Sequence, residues 1–308
     1  MKPAMKGAIA ICAAATLWGL DGVVLTPRLF GLSVPVVVFL VHAIPFLLMQ
    51  PFLFSEYRTL ARMDAKSWLA LLLVALMGGV LGTLAIVKAL FLVHFTELSV
   101  VVLLQKLQPV FAIVLAAALL KERITGRFLF WATIALAGAY LLTFGFASPD
   151  AVTGGVREAA LWAVIAAAAF GSATVLGKRL LNNLDFKAAT FGRFGMTAIL
   201  TAGYMLVAGI PFAFGSVTAT EWLIIGIIAL TTGSTAIFIY YWGLTRVKAS
   251  VSTICELCLP VSAVLFDWLI NGTVLGFGQW VGAAVLVAAI IRVSMLGRKG
   301  VTSTLQSP

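Results

Sequence analysis

A cluster of polar residues interrupts one of the most apolar stretches of this chain. Residues 97–123 are long enough to cross a bilayer, which takes about 20 apolar residues, yet they contain Gln105, Lys106 and Gln108 followed by Pro109. A lysine at the centre of a membrane helix costs roughly 2.5–3.5 kcal/mol on insertion scales. Proline has no N–H, so the carbonyl of Gln105 is expected to lose its helical partner. A helix that only spans the membrane would avoid these costs, and the cluster therefore predicts a functional site.

A second stretch repeats this arrangement near the C-terminus. Residues 249–271 also place a proline, Pro260, within an apolar run, and Glu256 precedes it by four residues. At an offset of 151 residues, Pro260 corresponds to Pro109 and Glu256 corresponds to Gln105. Internal repeats with interrupted helices point to the binding site of secondary transporters. The pattern predicts two related halves, each with one broken helix at a substrate path.

The composition places the chain in a membrane. Hydrophobic residues make up 62% of its 308 residues, charged residues make up 10%, and the mean hydropathy is +1.11. A soluble domain of this length could not bury so much apolar surface. We therefore expect an all-α membrane protein with ten transmembrane helices. The expected spans are 7–26, 34–54, 67–90, 97–120, 127–146, 159–177, 186–209, 221–244, 249–271 and 275–295.

The basic residues predict the orientation of these spans. With both termini in the cytoplasm, most of the 21 lysines and arginines fall on the inner side, and the outer loops hold only Arg28 and Arg157. This asymmetry follows the positive-inside rule, so the net charge of +10 serves the topology and does not indicate a nucleic-acid partner. Five spans per half is an odd number. The halves, residues 1–150 and 151–308, are therefore expected to be inverted repeats.

Three motifs carry a resemblance to a known family. They are PVFAIVLAAALLKERIT at 109–125, a weaker copy PVSAVLFDWLING at 260–272, and GQWVGAA at 278–284. With these motifs the chain resembles the drug/metabolite transporter (DMT) superfamily, in particular its ten-span EamA-type members. The resemblance implies inverted five-helix repeats around a central cavity and export of small metabolites such as amino acids across the cell inner membrane. The second copy departs from the first, with Thr273 where the first has Glu122.

The polar cluster cannot face one direction. On an ideal helix Gln105 and Gln108 share a face, whereas Lys106 points about 100° away from Gln105. We expect the two glutamines to line a cavity and Lys106 to point to a neighbouring helix, with Asp21 or Glu256 as its partner. Lys106 is then a counter-charge in the substrate path, a member of a structural ion pair, or a residue near a cytoplasmic vestibule.

Glu256 is the acid best placed for proton coupling. A carboxylate inside a span is a functional hypothesis by default, because burying it is costly. The alternatives are an ion pair with Lys106 and a neutral, hydrogen-bonded acid. Asp21, two residues after Gly19, could take the same role.

Aromatic and sulfur-containing residues add further candidates. Trp18 and Tyr241 are expected to line the cavity, although consecutive residues of the Tyr240-Tyr241-Trp242 run face different directions. Cys255 and Cys258 are spaced to form a dithiol on one helix face, but packing is the expected role of cysteines within a span. No cofactor or metal is expected.

The sequence therefore predicts a secondary transporter of the plasma membrane that exports a small metabolite by alternating access. Amino acids are the expected substrates. Export of drugs or lipophilic cations and transport of sugars or lipid precursors are the alternatives within the same fold, and a membrane-embedded enzyme is the rival class. The sequence has no HExxH, GxSxG or phosphate-loop motif and only two histidines, so we do not expect catalysis. Proton coupling and a homodimer are left open.

Overall fold

The computed structural model describes residues 2–93, 101, 104–146, 154–272 and 274–302, and the regular structure in these residues is helical. Helices satisfy their own backbone hydrogen bonds, which a chain surrounded by lipid requires. The α-helices are α1 (Pro3–Leu20), α2 (Val34–Leu53), α3 (Glu56–Ala61), α4 (Ala65–Val74), α5 (Gly82–Leu92), α6 (Gln108–Leu119), α7 (Gly126–Phe144), α8 (Gly154–Leu180), α9 (Phe186–Val207), α10 (Ala219–Ile228), α11 (Ser234–Leu244), α12 (Ala249–Cys255), α13 (Cys258–Phe266) and α14 (Phe277–Thr302).

Eight helical segments of the described chain are long and apolar enough to cross a membrane, and each overlaps an expected span. They are Pro3–Leu29, Val34–Leu53, Ala65–Leu92, Gly126–Phe144, Arg157–Leu180, Ala219–Leu244, Ala249–Asn271 and Phe277–Leu296. The seventh expected span coincides with α9, a 22-residue helix that carries Lys187 and Arg193. The fourth is represented by the shorter apolar helix α6, and its first residues, from 97 to 100, lie outside the described residues. The number ten therefore stays a prediction.

Short π-helical segments interrupt four of these spans. The pair Ala75–Leu81 and Ala229–Gly233 occupies related positions in the third and eighth expected spans, since residues 78–82 fall on 229–233 at the repeat offset. The other two, Asp21–Leu25 and Asp267–Asn271, follow α1 and α13. Such segments widen a helix locally and occur frequently at functional sites.

The ninth expected span consists of two helices. Because α12 ends at Cys255 and α13 begins at Cys258, Glu256 lies in the turn between them. Pro260 is the third residue of α13, where the first N–H groups of a helix lack partners in any case. By the argument made for Gln105, Pro260 is expected to leave the carbonyl of Glu256 without a partner. This expectation is wrong, because the N–H of Leu259 donates to that carbonyl at 3.0 Å. The break replaces the lost helical bond by a tighter turn.

The helix break in the first half has the same form. Lys106 and Leu107 make a turn, and the N–H of Leu107 donates to the carbonyl of Leu104 at 3.1 Å. Pro109 is the second residue of the helix that follows, α6. Both prolines thus lie at the start of a new helix and not in the middle of a kinked one.

Two glycines bring helices into close contact with the two breaks. A Cβ placed on Gly19 of α1 would lie 2.9 Å from the carbonyl oxygen of Leu259 and 2.9 Å from the amide nitrogen of Ala263. A Cβ placed on Gly171 of α8 would lie 2.8 Å from the carbonyl oxygen of Gln108 and 3.0 Å from the amide nitrogen of Ala112. Leu259 and Gln108 are related by the offset of 151, so the two contacts are equivalent.

We predict that Gly19→Ala and Gly171→Ala each destabilise the protein, because backbone atoms occupy the space that the added methyl group needs. Overpacking of this kind costs about 1–3 kcal/mol. The measurement is the midpoint of thermal unfolding in detergent. Gly22→Ala is the matched control, because a Cβ at Gly22 meets nothing within 4 Å. Equal midpoints for all three variants would contradict the prediction.

Candidate functional site

The carboxylate of Glu256 is the centre of a hydrogen-bonded network from four helices. Its Oε2 accepts from Nε2 of Gln108, in α6, at 2.6 Å. Its Oε1 accepts from the hydroxyls of Tyr240 in α11 at 2.9 Å, Ser252 in α12 at 3.0 Å and Thr174 in α8 at 3.4 Å. These donors are neutral. The network joins α6, from the first half of the chain, to three helices of the second half.

A small cavity of about 40 Å³ lies between the two helix breaks. Its lining residues are Gln105, Lys106, Gln108, Pro109, Thr253, Glu256, Leu257, Leu259 and Pro260. The structure therefore brings together six predicted site residues, including both helix-break prolines. The hydroxyl of Thr253 is fully buried and has no hydrogen-bond partner among the described residues. A buried donor without a partner is unfavourable, so this group is available to a ligand.

Lys106 contacts a neighbouring helix, as its position on the helix predicts, but its partners are not acids. Its Nζ donates to the carbonyl oxygen of Ala139 at 3.4 Å and to the hydroxyl of Thr143, both in α7. Within the described residues the structure has one ion pair, the exposed pair of Lys88 and Glu158 at 3.1 Å. The alternative in which Lys106 pairs with Glu256 or Asp21 is therefore not observed.

Trp18 lies beside the acid, and it does so through Tyr240. The Trp18 and Tyr240 rings are inclined to each other with their centroids 5.3 Å apart. The indole Nε1 of Trp18 donates to the carbonyl of Thr232, in a π-helical segment, at 3.1 Å. The two rings form a small aromatic wall behind the Glu256 carboxylate, and neither ring is among the residues that line the cavity.

Tyr241, which the sequence predicts as a cavity residue, does not line the cavity, although its ring centroid lies 5.8 Å from that of Tyr240. It is fully buried, and its hydroxyl accepts from Nη1 of Arg193 at 3.3 Å. Arg193 is itself 8% exposed, so it is not directed to water as its position near the end of a span suggests. Consecutive helix positions differ by about 100°, which is why one tyrosine contacts Glu256 and the next contacts Arg193.

Asp21 lies outside the cavity lining. It begins the π-helical segment one turn after Trp18, and its Oδ1 accepts from the hydroxyl of Thr26 at 3.2 Å. Its position at the end of α1 keeps it near the aromatic wall but not in the Glu256 network.

The cysteines are free thiols. The Sγ of Cys12 lies 3.7 Å from the carbonyl oxygen of Cys255, and the Cys255 thiol is 3.4 Å from the hydroxyl of Ser294. No group of three or more metal-ligating side chains occurs in the part of the chain that the structure describes.

Four residues of this site are missed by the sequence reasoning. Ser252 precedes Glu256 by four residues, and this spacing on one helix face is a signal that could have identified it. Thr253 follows directly in the same helix. Tyr240 belongs to the aromatic run from which the sequence analysis selected Tyr241, and Thr174 is identified only by the packing of its helix.

Comparison with known proteins places this architecture in a family. The EamA-like transporter family matches residues 5–144 and again residues 157–295. The chain belongs to the EamA-like transporter family. It is a multi-pass plasma-membrane protein and a secondary transporter of a small molecule, and transporters of this family are not enzymes.

Two relatives and one solved structure are similar to this chain. The chain is 49% identical over 298 residues to riboflavin transporter ImpX of Fusobacterium nucleatum, covering 95% of this chain and 98% of that protein. It is 28% identical over 195 residues to the uncharacterized transporter YwfM of Bacillus subtilis, covering 63% of this chain and 64% of that protein. A crystal structure with 18% identity matches 98% of this chain and 99% of its own with a TM-score of 0.75, which shows the fold alone.

We predict that Lys106→Met leaves the thermal unfolding midpoint unchanged or raises it. The variant removes a buried cation whose observed partners are neutral, and the Ala139 carbonyl keeps its bond from Thr143 at 2.9 Å. Replacing a buried charge by an apolar residue of similar volume is often neutral or stabilising. Lys88→Met, which breaks the exposed pair with Glu158, is the control. A fall of several degrees in Lys106→Met alone would show that Lys106 stabilises the packing of α7.

Proposed function

We propose that this protein transports riboflavin, or a closely related flavin, by alternating access. The observation that carries the proposal is the 49% identity, over nearly the full length of both chains, to a relative named as a riboflavin transporter. Flavin replaces the amino acid that the family resemblance implies. An amino-acid carboxylate would call for a cation directed at it, and the Nζ of Lys106, although this residue lines the cavity, donates to α7.

The chemistry of the site suits a flavin. The isoalloxazine ring has flat, largely apolar faces and a rim of polar groups, and the ribityl chain carries hydroxyls. Aromatic side chains bind such faces by stacking, and the half-buried Trp18 would supply such a face when the site widens. The Glu256 carboxylate, the Gln108 amide and the unpartnered Thr253 hydroxyl can exchange hydrogen bonds with the polar rim or the chain.

A flavin requires the site to widen. Sites for molecules of this size typically measure about 300–1,000 Å³, whereas the cavity measures about 40 Å³. The two helix breaks are suitable hinges, because a turn can change direction without breaking helical hydrogen bonds. We propose that α6 and the pair of α12 and α13 move apart on alternate sides of the membrane.

We further propose that the two halves of the chain are arranged symmetrically, so that each half can make the same motion. Residues 1–150 and 151–308 form two inverted five-span halves, with ten spans in all and both termini in the cytoplasm. The double match to the family and the equivalent contacts of Gly19 and Gly171 support this arrangement. The distribution of basic residues supports the orientation.

Glu256 is the proposed coupling acid. Its hydrogen-bond partners within the described residues are neutral, so it can take up and release a proton without breaking an ion pair. Asp21, at the far end of the aromatic wall, is the second acid that could titrate during transport. Export, which the family resemblance implies, requires a gradient that drives flavin outward.

We predict saturable riboflavin flux by the purified protein in liposomes, followed by the fluorescence of riboflavin. Trp18→Ala should lower the apparent affinity by about fivefold or more, since stacking of one heterocycle contributes about 1–3 kcal/mol. Trp68→Ala is the matched control, because Trp68 is an exposed tryptophan of α4.

Glu256→Gln should abolish the response of the flux to a proton gradient. The gradient is imposed in both directions to identify export or uptake.

The same liposomes test the alternatives. Radiolabelled amino acids and a lipophilic cation are assayed beside riboflavin. Saturable amino-acid flux without riboflavin flux would overturn the proposed substrate, and riboflavin flux that ignores both the gradient and Glu256→Gln would make the protein a facilitator.

A further inference from the structure

Glu122 joins the first half of the chain to the second at a point away from the cavity. Its Oε1 accepts from the backbone N–H of Ala249 at 2.8 Å. Its Oε2 accepts from the N–H of Ser250 at 3.2 Å and from the hydroxyl of Ser250 at 2.5 Å. Hydrogen bonds to a carboxylate are about twice as strong as those between neutral groups. One side chain thus fixes the first turn of α12 to the end of α6.

The backbone before Glu122 is shaped to present this side chain. Lys121 has a φ of 53°, a left-handed conformation that costs a non-glycine residue about 1–2 kcal/mol. The N–H of Glu122 donates to the carbonyl of Ala116 at 3.2 Å, which closes the turn that ends α6. A residue in a costly conformation persists where the surrounding structure requires it, and such residues cluster at functional positions.

Below this contact the two halves are packed without a gap. Ala112 and Ala116 of α6, Val175 of α8 and Ala249 of α12 form one cluster, and each is 0% exposed. Small side chains let helices approach closely in a membrane. The seam between α6 and α12 is therefore closed, and Glu122 lies at its end.

The charges around this contact indicate the side of the membrane. The Nζ of Lys178 donates to the carbonyl oxygens of Leu244 at 2.7 Å and Thr245 at 3.3 Å, and it interacts electrostatically with Glu122. Further basic residues lie in the adjoining connections and helix ends: Lys121, Arg123, Arg127, Arg179, Arg246 and Lys248. The positive-inside rule assigns this end to the cytoplasm.

We infer that Glu122 is the latch of the cytoplasmic gate, and that its bonds to Ala249 and Ser250 must break before the cavity opens to the cytoplasm. The inference rests on the proposed alternating access. The position that corresponds to Glu122 in the second half is Thr273, which has no carboxylate. The latch thus has no charged counterpart in the repeat. Because its hydrogen bonds form only when the cytoplasmic gate is closed, they favour the state that is closed to the cytoplasm.

The test measures access to the cavity from each face of the membrane. A Thr253→Cys reporter, buried in the cavity wall, is labelled with a membrane-impermeant maleimide in inside-out and right-side-out vesicles. Fragment-ion mass spectrometry locates the label residue by residue, so the native Cys255 and Cys258, which share a tryptic peptide with the reporter, remain in place. Glu122→Gln should raise labelling from the cytoplasmic face about tenfold, as expected for loss of a hydrogen bond to a charged group. Ser250→Ala, which keeps the two backbone donors, should give a smaller rise.

Glu221→Gln is the matched control, because Glu221 caps the start of α10 through Thr218 and makes no hydrogen bond to the first half within the described residues. Glu122 would be only a helix cap if Glu122→Gln and Glu221→Gln lowered the unfolding midpoint alike and labelling stayed unchanged in Glu122→Gln and Ser250→Ala. A rise only from the opposite face would also overturn the inference. Labelling needs no substrate, so a rise without riboflavin flux would retain the latch and reject the flavin.

Discussion

The structure depends on one unfavourable requirement, a carboxylate held inside a membrane protein. Glu256 has no cationic partner among the described residues, so neutral donors must surround it. Those donors come from α6, α8, α11 and α12, and this requires the four helices to meet at one point. The helix breaks make this convergence feasible, because a turn exposes side chains in directions that a continuous helix does not.

The breaks in turn depend on glycine. A helix that ends in the middle of a bilayer leaves backbone groups that must be covered, and α1 and α8 cover them at close range through Gly19 and Gly171. The two contacts are equivalent under the repeat offset, yet the polar residues beside them differ. Gln105 and Lys106 accompany one break and Glu256 accompanies the other, so a symmetric frame carries an asymmetric site.

Asymmetry also distinguishes the two ends of the substrate path. Glu122 binds three donors at the start of α12, while the corresponding position in the repeat is a threonine. A transporter with two identical gates would have no preferred resting state. In the proposed mechanism, a carboxylate at only one gate gives a preference for one closed state, at the cost of a strained backbone at Lys121.

The sequence by itself determined the class of protein and the main feature of the site. Apolar runs, basic loops and the repeated proline identified a membrane transporter with two broken helices, because these properties depend on single segments and on the solvent around them. Only the tertiary structure decided which side chains meet. In that structure the Glu256 carbonyl accepts from the N–H of Leu259, and the ammonium group of Lys106 donates to α7. Tyr240, and not Tyr241, binds the Glu256 carboxylate. These outcomes depend on how helices from distant parts of the chain rotate and pack, which no local pattern encodes.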